Sequence, residues 1–254
     1  CIEKDCFWVS LSDSDIFMWV TGILTNLSLK VFVEEKDIYT LAIQGPNSNA
    51  LLREIAGEEI DKLSFFSFKE FKIKNKNYLI SRTGFSKQGG YEIYIKNPTS
   101  GKGLWDLIIQ EGFKFNLKVG TVNLIERVES GLLSYGNDMT KKDTPLDCSL
   151  GKYCSLESNF DFIGKKALLM QSKRGPFKDI YKVFFEAPLG LDSQDTSCYV
   201  NEKKIGQLTS LIFAPKFNKY LGFMITRKEN IKNDNDYFVK IRTGVFKATI
   251  ENFE

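Results

Sequence analysis

The chain changes character at Gly175-Pro176. Beyond that dipeptide, short apolar runs alternate with turns rich in Gly, Asn, Asp and Lys. The runs are Tyr181 to Phe185, Ser197 to Val200, Lys204 to Leu208, Leu221 to Ile225, Tyr237 to Ile241 and Val245 to Ile250. Strands this short and this regularly spaced close into an antiparallel barrel or sandwich. Ahead of Gly175, runs of strand alternation are interleaved with runs of helical spacing, which is the signature of an α+β layer. The expected organisation is therefore an α+β domain over 1–175 and a small antiparallel β-barrel over 176–254.

Within the first part, Phe7 to Leu11, Leu29 to Val33, Leu41 to Ile43, Phe65 to Ile73, Tyr78 to Ser81 and Tyr91 to Ile95 read as strands. Asp13, Ser14 and Asp15 offer an N-cap to a helix carrying Ile16, Val20, Ile23, Leu24 and Leu27. Pro46 suits the first turn of a helix with Leu51, Leu52 and Ile55. Gly103 to Gln110, Val122 to Leu133 and Ile163 to Ser172 also read as helices, and Thr144 to Cys154 as loop. Up to about residue 118 this order predicts a split β-α-β sheet with helices on one face.

Composition removes whole classes of function. The 254 residues are 43% hydrophobic and 26% charged, so the chain can bury a core and is not disordered. Lys and Arg number 35 against 32 acids, interspersed, which gives no nucleic-acid footprint. No apolar run approaches the roughly 18 residues of a membrane span. There is no His, which removes His triads, His metal sites and His proton shuttles. Five cysteines without a Cys-x-x-Cys pair support neither a zinc site nor a disulfide framework; buried thiols in a reducing cytoplasm are expected. Cys1 stands in place of Met and a core-like run follows at once, so an N-terminal part is expected to be missing.

The segment from Ser81 to Ile95 carries the most chemistry. Gly84, Gly89 and Gly90 mark a tight excursion between two strands. In the second strand Tyr91, Ile93 and Ile95 share one face, and Glu92 with Tyr94 the other. A carboxylate among apolar strand residues is costly without a partner. Glu92 is either on an edge strand in water, or paired with Arg82, or a grip for the paired N–H donors of a flat heterocycle.

Gln44-Gly45-Pro46, the Ser81–Ile95 segment, Arg127-Val128-Glu129-Ser130-Gly131 with Tyr135-Gly136, Thr144-Pro145-Leu146, and Phe162-Ile163-Gly164-Lys165 occur in that order. Together they resemble the glycine-cleavage T-protein (aminomethyltransferase) family of tetrahydrofolate enzymes. Ile205-Gly206, Thr209-Ser210 and Ala214-Pro215 resemble that family's C-terminal barrel. Ser86-Lys87-Gln88-Gly89-Gly90 stands where aminomethyltransferases usually carry an acidic run, and there the chain is more similar to the family's dimethylsulfoniopropionate demethylase branch.

The resemblance implies an aminomethyltransferase-like fold of two α+β modules and a barrel around a folate channel. It implies tetrahydrofolate as cofactor and a small-molecule methyl donor as partner, with no nucleic acid and no membrane; it leaves a homodimer open. It implies that Glu92 and Arg127 bind folate and that Ser10, Phe85 and Tyr94 meet the donor, Phe85 standing where the demethylase has Trp. Core packing for Tyr94, local backbone bonding for Ser10 and a helix-surface pair with a neighbouring Glu for Arg127 are the structural alternatives. Tyr135-Gly136 is expected in the channel wall, and Lys165 in solvent. No catalytic group is assigned, and no metal. The implied activity is methyl transfer from dimethylsulfoniopropionate to tetrahydrofolate; aminomethyl transfer from a lipoyl carrier and non-catalytic folate binding are the alternatives.

Overall fold

The computed structural model describes residues 1–11, 16–190 and 196–253. The chain divides into two compact units, Cys1–Asn123 and Leu124–Glu254.

The first unit is built on four antiparallel strands, β1 (Tyr39–Gln44), β2 (Phe68–Ile73), β3 (Lys76–Ser81) and β4 (Gly90–Ile95), in the order β1-β4-β3-β2. Three helices accompany them: α1 (Phe17–Leu27), α2 (Ser48–Ala56) and α3 (Pro98–Gly112). Period-two alternation sends Ile43, Phe71, Ile73, Tyr78, Ile80, Tyr91, Ile93 and Ile95 to one face, where they pack with Leu51 and Leu52 of α2 and Leu104 and Ile108 of α3. Each fully buried aliphatic there contributes about 1.5–3 kcal/mol of transfer free energy. The other face of the sheet carries Ser81, Glu92 and Tyr94. α3 starts five residues ahead of Gly103, because Pro98 suits the first turn and the Asn97 side chain accepts from the Thr99 N–H at 2.9 Å.

Two expected strands are not formed. Phe7 to Leu11 and Leu29 to Val33 are irregular, with Phe7 67% and Val9 70% exposed. Both runs have strand-like composition, but a strand also needs a neighbour for its N–H and C=O groups, and β1 pairs with β4 alone. α1 forms as expected, yet none of its residues is buried. The expected cap at Asp13, Ser14 and Asp15 lies outside the described residues.

The second unit opens with α4 (Leu124–Glu129), passes through short 3-10 turns at Pro145–Cys148 and Gly151–Tyr153, and continues through α5 (Lys165–Arg174). Gly175 ends α5, and strands follow: β5 (Lys178–Phe185), β6 (Ser197–Val200), β7 (Lys203–Gln207), β8 (Thr209–Ala214), β9 (Lys219–Arg227), β10 (Tyr237–Ile241) and β11 (Gly244–Asn252). They form one antiparallel sheet ordered β7-β6-β10-β11-β5-β9-β8. The sheet curls, bringing β7 against β9: Thr226 Oγ1 donates to the Ile205 carbonyl at 2.6 Å, and Gly206 faces Met224 so closely that a Cβ would lie 2.5 Å from it. Val183, Phe185, Cys198, Met224 and Val239 fill the inside of the curl. Its outer face packs Ile180, Phe184, Leu221 and Phe223 against Val128 of α4. Gly175-Pro176 thus marks the passage from helix to strand, while the compact units part earlier, at Asn123 and Leu124. β8 is the one strand of this sheet that the sequence pattern did not indicate.

Candidate functional site

Glu92 lies on β4, which has β1 on one side and β3 on the other, with Ala42 and Ser81 as its cross-strand partners. It is therefore on an interior strand and not an edge. Arg82 does not hold it: Arg82 Nη1 donates to the Leu63 carbonyl at 2.9 Å, and its guanidinium lies 5.8 Å from the Tyr91 ring centre. The partner of Glu92 is Thr83, whose Oγ1 donates to Oε2. Thr83 Oγ1 is 2.5 Å from Ser81 Oγ, and Ser81 Oγ is 3.3 Å from the Tyr94 hydroxyl oxygen. Glu92 and Tyr94, two residues apart on one strand, are so joined through two hydroxyls. The Tyr94 ring meets Trp8 edge-on, with centroids 6.2 Å apart.

The loop between β3 and β4 is held by one side chain. Gln44 Nε2 donates to the Thr83 carbonyl at 3.1 Å and the Tyr91 carbonyl at 3.3 Å, while Gln44 Oε1 accepts from Ser86 Oγ at 2.7 Å. The Gly45 N–H donates to the Gly89 carbonyl at 2.9 Å. The fit explains two glycines: a Cβ on Gly84 would stand 2.0 Å from Gln44 Oε1, and one on Gly90, at φ +149°, 2.5 Å from the Ile43 carbonyl oxygen. Phe85 sits between Gly84 and Ser86 in this clamped loop and is 38% exposed.

A family comparison decides what kind of protein carries this loop. The GCVT N-terminal domain family matches residues 1–158. The chain belongs to the glycine-cleavage T-protein family. The chain is 38% identical over 216 residues to the dimethylsulfoniopropionate demethylase of Ruegeria pomeroyi, covering 85% of this chain and 59% of that protein. To an aminomethyltransferase of Clostridium botulinum it is 30% identical over 254 residues, covering 97% of this chain and 67% of that one. The crystal structure of glycine cleavage system aminomethyltransferase T from Bartonella henselae superposes with a TM-score of 0.73 at 23% identity, covering 91% of this chain and 64% of that one, and shows the fold. The chain thus spans about three fifths to two thirds of the length of these T-protein relatives.

Of the residues that the T-protein resemblance singled out, the structure links Glu92 with Tyr94. Tyr94 also lines a cavity of about 290 Å³ with Glu70, Leu79 and Lys96; Glu92, Ser10 and Phe85 are not among its walls. Ser10 is exposed, two residues after Trp8, and no hydrogen bond is described for it. Arg127 is in the second unit. It is 3% exposed and ion-paired with Asp138 at 2.9 Å; it donates to the Leu132 carbonyl at 2.6 Å and to Ser210 Oγ. Asp138 also accepts from Ser210 Oγ and from the Ser134 N–H at 2.9 Å. Arg127 is thus a buried member of a network, where a surface pair with a neighbouring Glu was the structural alternative. Tyr135 and Gly136 form a tight loop closed by the Gly136 N–H on the Met139 carbonyl at 2.8 Å. Lys165 is not a solvated surface cation: its Nζ donates to the Ser158 and Phe160 carbonyls.

Sequence reading gave no role to Gln44, Ser81 or Thr83. A signal was present: once the β3–β4 hairpin register is counted, Ser81 falls opposite Glu92, and Thr83 lies just past the strand end. Among the described residues no cluster of Cys, Asp and Glu is placed to hold a metal ion.

Proposed function

We propose that the chain belongs to a tetrahydrofolate-dependent methyltransferase that demethylates dimethylsulfoniopropionate to methylmercaptopropionate and forms 5-methyltetrahydrofolate. Residues 1–175 would carry the folate-binding domain and residues 176–254 the barrel, in the cytoplasm. Among the described residues no helix is long and apolar enough to cross a membrane. The observation that carries the reading is Glu92, held by Thr83 beside Tyr94 on the sheet face opposite the core, next to a loop that has Lys87 where an acidic run marks aminomethyltransferases.

The residues fit a pterin. Glu92 is half-buried, Thr83 engages only Oε2, and a carboxylate has lone pairs left on both oxygens for the adjacent ring N–H and exocyclic amine of a pterin. Tetrahydrofolate, when bound, supplies the N5 nucleophile; the methyl–sulfur bond breaks with its electron pair going to sulfur, and the N5 proton goes to water. A sulfonium departs as a neutral thioether, so the chain needs no general acid, in keeping with the absence of His. Its task is alignment. Glu92 orients the pterin edge, Phe85 and Tyr94 offer aromatic faces to the sulfonium, and Ser10 a hydroxyl. Lys87 is compatible with the donor's carboxylate. Arg127, already held by Asp138, Leu132 and Ser210, enters as the residue that orders the Leu132–Met139 loop.

A second reading is aminomethyl transfer from a lipoyl carrier, favoured by the longer coverage of this chain by the Clostridium botulinum aminomethyltransferase. The deciding experiment gives the protein tetrahydrofolate with dimethylsulfoniopropionate, or with an aminomethyl-loaded lipoyl carrier. Formation of 5-methyltetrahydrofolate from the sulfonium is expected. Ammonia release with methylenetetrahydrofolate from the carrier would replace the demethylase reading and leave the family standing.

A further inference from the structure

β4 carries its chemistry at two-residue intervals. Glu92 and Tyr94 share the face opposite the core, and Lys96 follows just past the strand end. Each interval is roughly 7 Å along a strand. Tyr94 and Lys96 line one cavity of about 290 Å³, and Lys76 lines it too. Neither lysine is held in an ion pair among the described residues. Lys96 Nζ instead lies 5.3 Å from the centre of the Trp8 ring, and Trp8 meets Tyr94 edge-on at 6.2 Å. The acid in the cavity wall, Glu70, stands two strands away: it pairs with Leu79, and Leu79 with Tyr94. Two strand spacings put it about 10 Å from β4. The β4 side of the cavity is therefore cationic.

We propose that this cavity is the carboxylate subsite for the methyl donor, with Lys96 as its specificity-determining residue. The proposal rests on the reading that Glu92 meets the pterin and Tyr94 the donor. Dimethylsulfoniopropionate has three bonds between its sulfur and its carboxyl carbon. A sulfonium against Tyr94 and Trp8 thus leaves the carboxylate within reach of a flexible lysine one interval further along. Lys87, whose charge suits the same group, stands at the Glu92 end of β4, which the pterin takes. Lys96 also works against the wrong donor. Its ammonium already lies by the Trp8 ring, so a sulfonium without a carboxylate meets an uncompensated like charge there. The substrate class is an onium compound with an anionic end, not an onium alone.

The test is calorimetric binding of dimethylsulfoniopropionate and of its methyl ester, without tetrahydrofolate so that nothing turns over. The wild type should bind the free acid more tightly than the ester. Lys96 is exposed, so its replacement should leave the fold standing. Lys96→Met should weaken the free acid about tenfold, the low end for a hydrogen bond to a charged group, and tighten the ester, because the like charge is gone. Lys96→Arg should keep the preference for the acid. Equal weakening of both ligands in Lys96→Met, as a structural role gives, overturns the proposal. So does a preference lost in Lys87→Met and kept in Lys96→Met, which would put the carboxylate at the loop. The cofactor is the other source of a carboxylate, and tetrahydropteroate, which lacks the glutamate, separates the two. Lys96→Met should bind tetrahydrofolate and tetrahydropteroate as the wild type does; a loss confined to tetrahydrofolate would give the cavity to the glutamate tail and overturn the proposal. A wild type that binds neither acid nor ester fails the donor reading itself, and the proposal with it, whereas one that binds both without preference fails the proposal alone.

Discussion

Glu92, Arg127 and Phe85 show how far a residue type and its neighbours reveal a role. The carboxylate in an apolar strand was legible as a site, because such a group needs a partner and the local sequence offered few. Its actual partner, Thr83, was not legible, because that pairing depends on the hairpin register and on the loop conformation that Gln44 imposes. Glu92→Ala should weaken tetrahydrofolate binding by about 1.5–3 kcal/mol, the range for hydrogen bonds to charged groups, as read by titration calorimetry. Phe85→Trp should strengthen binding of the sulfonium by about 0.5–1 kcal/mol in the same assay, since indole is the better cation–π surface. Arg127 was legible as important but not as buried. Its pair with Asp138 brings together α4, the Ser134–Asp138 turn and Ser210 at the start of β8. Asp138→Ala leaves a buried guanidinium without its counter-ion and should cost about 3–5 kcal/mol in denaturant unfolding. The double variant Arg127→Met, Asp138→Ala should recover part of that loss, because no unpaired charge remains.

At the scale of elements, the sheet strands were readable where apolar alternation coincided with turn residues, and ambiguous where it did not. Phe7 to Leu11 has the composition of a strand but lacks a neighbour to satisfy its backbone; sequence alone cannot supply that partner. β8 was hidden for the opposite reason. Ser210 adopts φ +51° and the register with β9 shifts between Thr209 and Ile212, so the alternation is interrupted inside the strand. The β3–β4 loop was readable as a tight excursion from its glycines, but the element that shapes it, the end of β1 with Gln44, is some forty residues away in the chain. Gly90→Ala tests that packing. Its Cβ would meet the Ile43 backbone oxygen at 2.5 Å, in a backbone conformation that side chains rarely adopt, and β1 cannot yield without losing its pairing to β4. A loss of about 2–3 kcal/mol is expected by chemical denaturation, the upper part of the usual range for single substitutions. Near-neutral behaviour would mean that the loop is not clamped as described.

For the whole molecule, the change at Gly175-Pro176 correctly announced an antiparallel sheet, yet the compact units divide at Asn123 and Leu124, because Val128 and its neighbours use the outer face of that sheet as their core. Such a choice is set by long-range packing, which local pattern does not encode. The cysteines provide a probe of this division. Cys1 and Cys6, in the first unit, are exposed; Cys148, Cys154 and Cys198 belong to the second, with Cys148 and Cys198 buried, so the expectation of buried thiols holds for two of the five. Burial pushes the Cys198 thiol up to about 12. Burial, reinforced by Asp143 and Asp147, does the same for Cys148, again to about 12. The reactive species is the thiolate, so both should be silent toward a thiol reagent near pH 8 while the second unit is folded. The sign for stability follows from the same shifts. The folded state holds these protons more tightly than the unfolded chain, so their contribution is complete below the ordinary thiol range and is lost as pH rises toward about 12. A reagent pulse at pH 8, read by peptide mass mapping along a urea series, should label Cys1 and Cys6 without denaturant. Cys148 and Cys198 should appear together, at the urea concentration that unfolds Leu124–Glu254, since one is buried on the Pro145–Cys148 turn and the other inside the curled sheet. Labelling of Cys198 in the native protein as fast as that of Cys6 would mean that the β7–β9 closure does not seal the inside of the sheet.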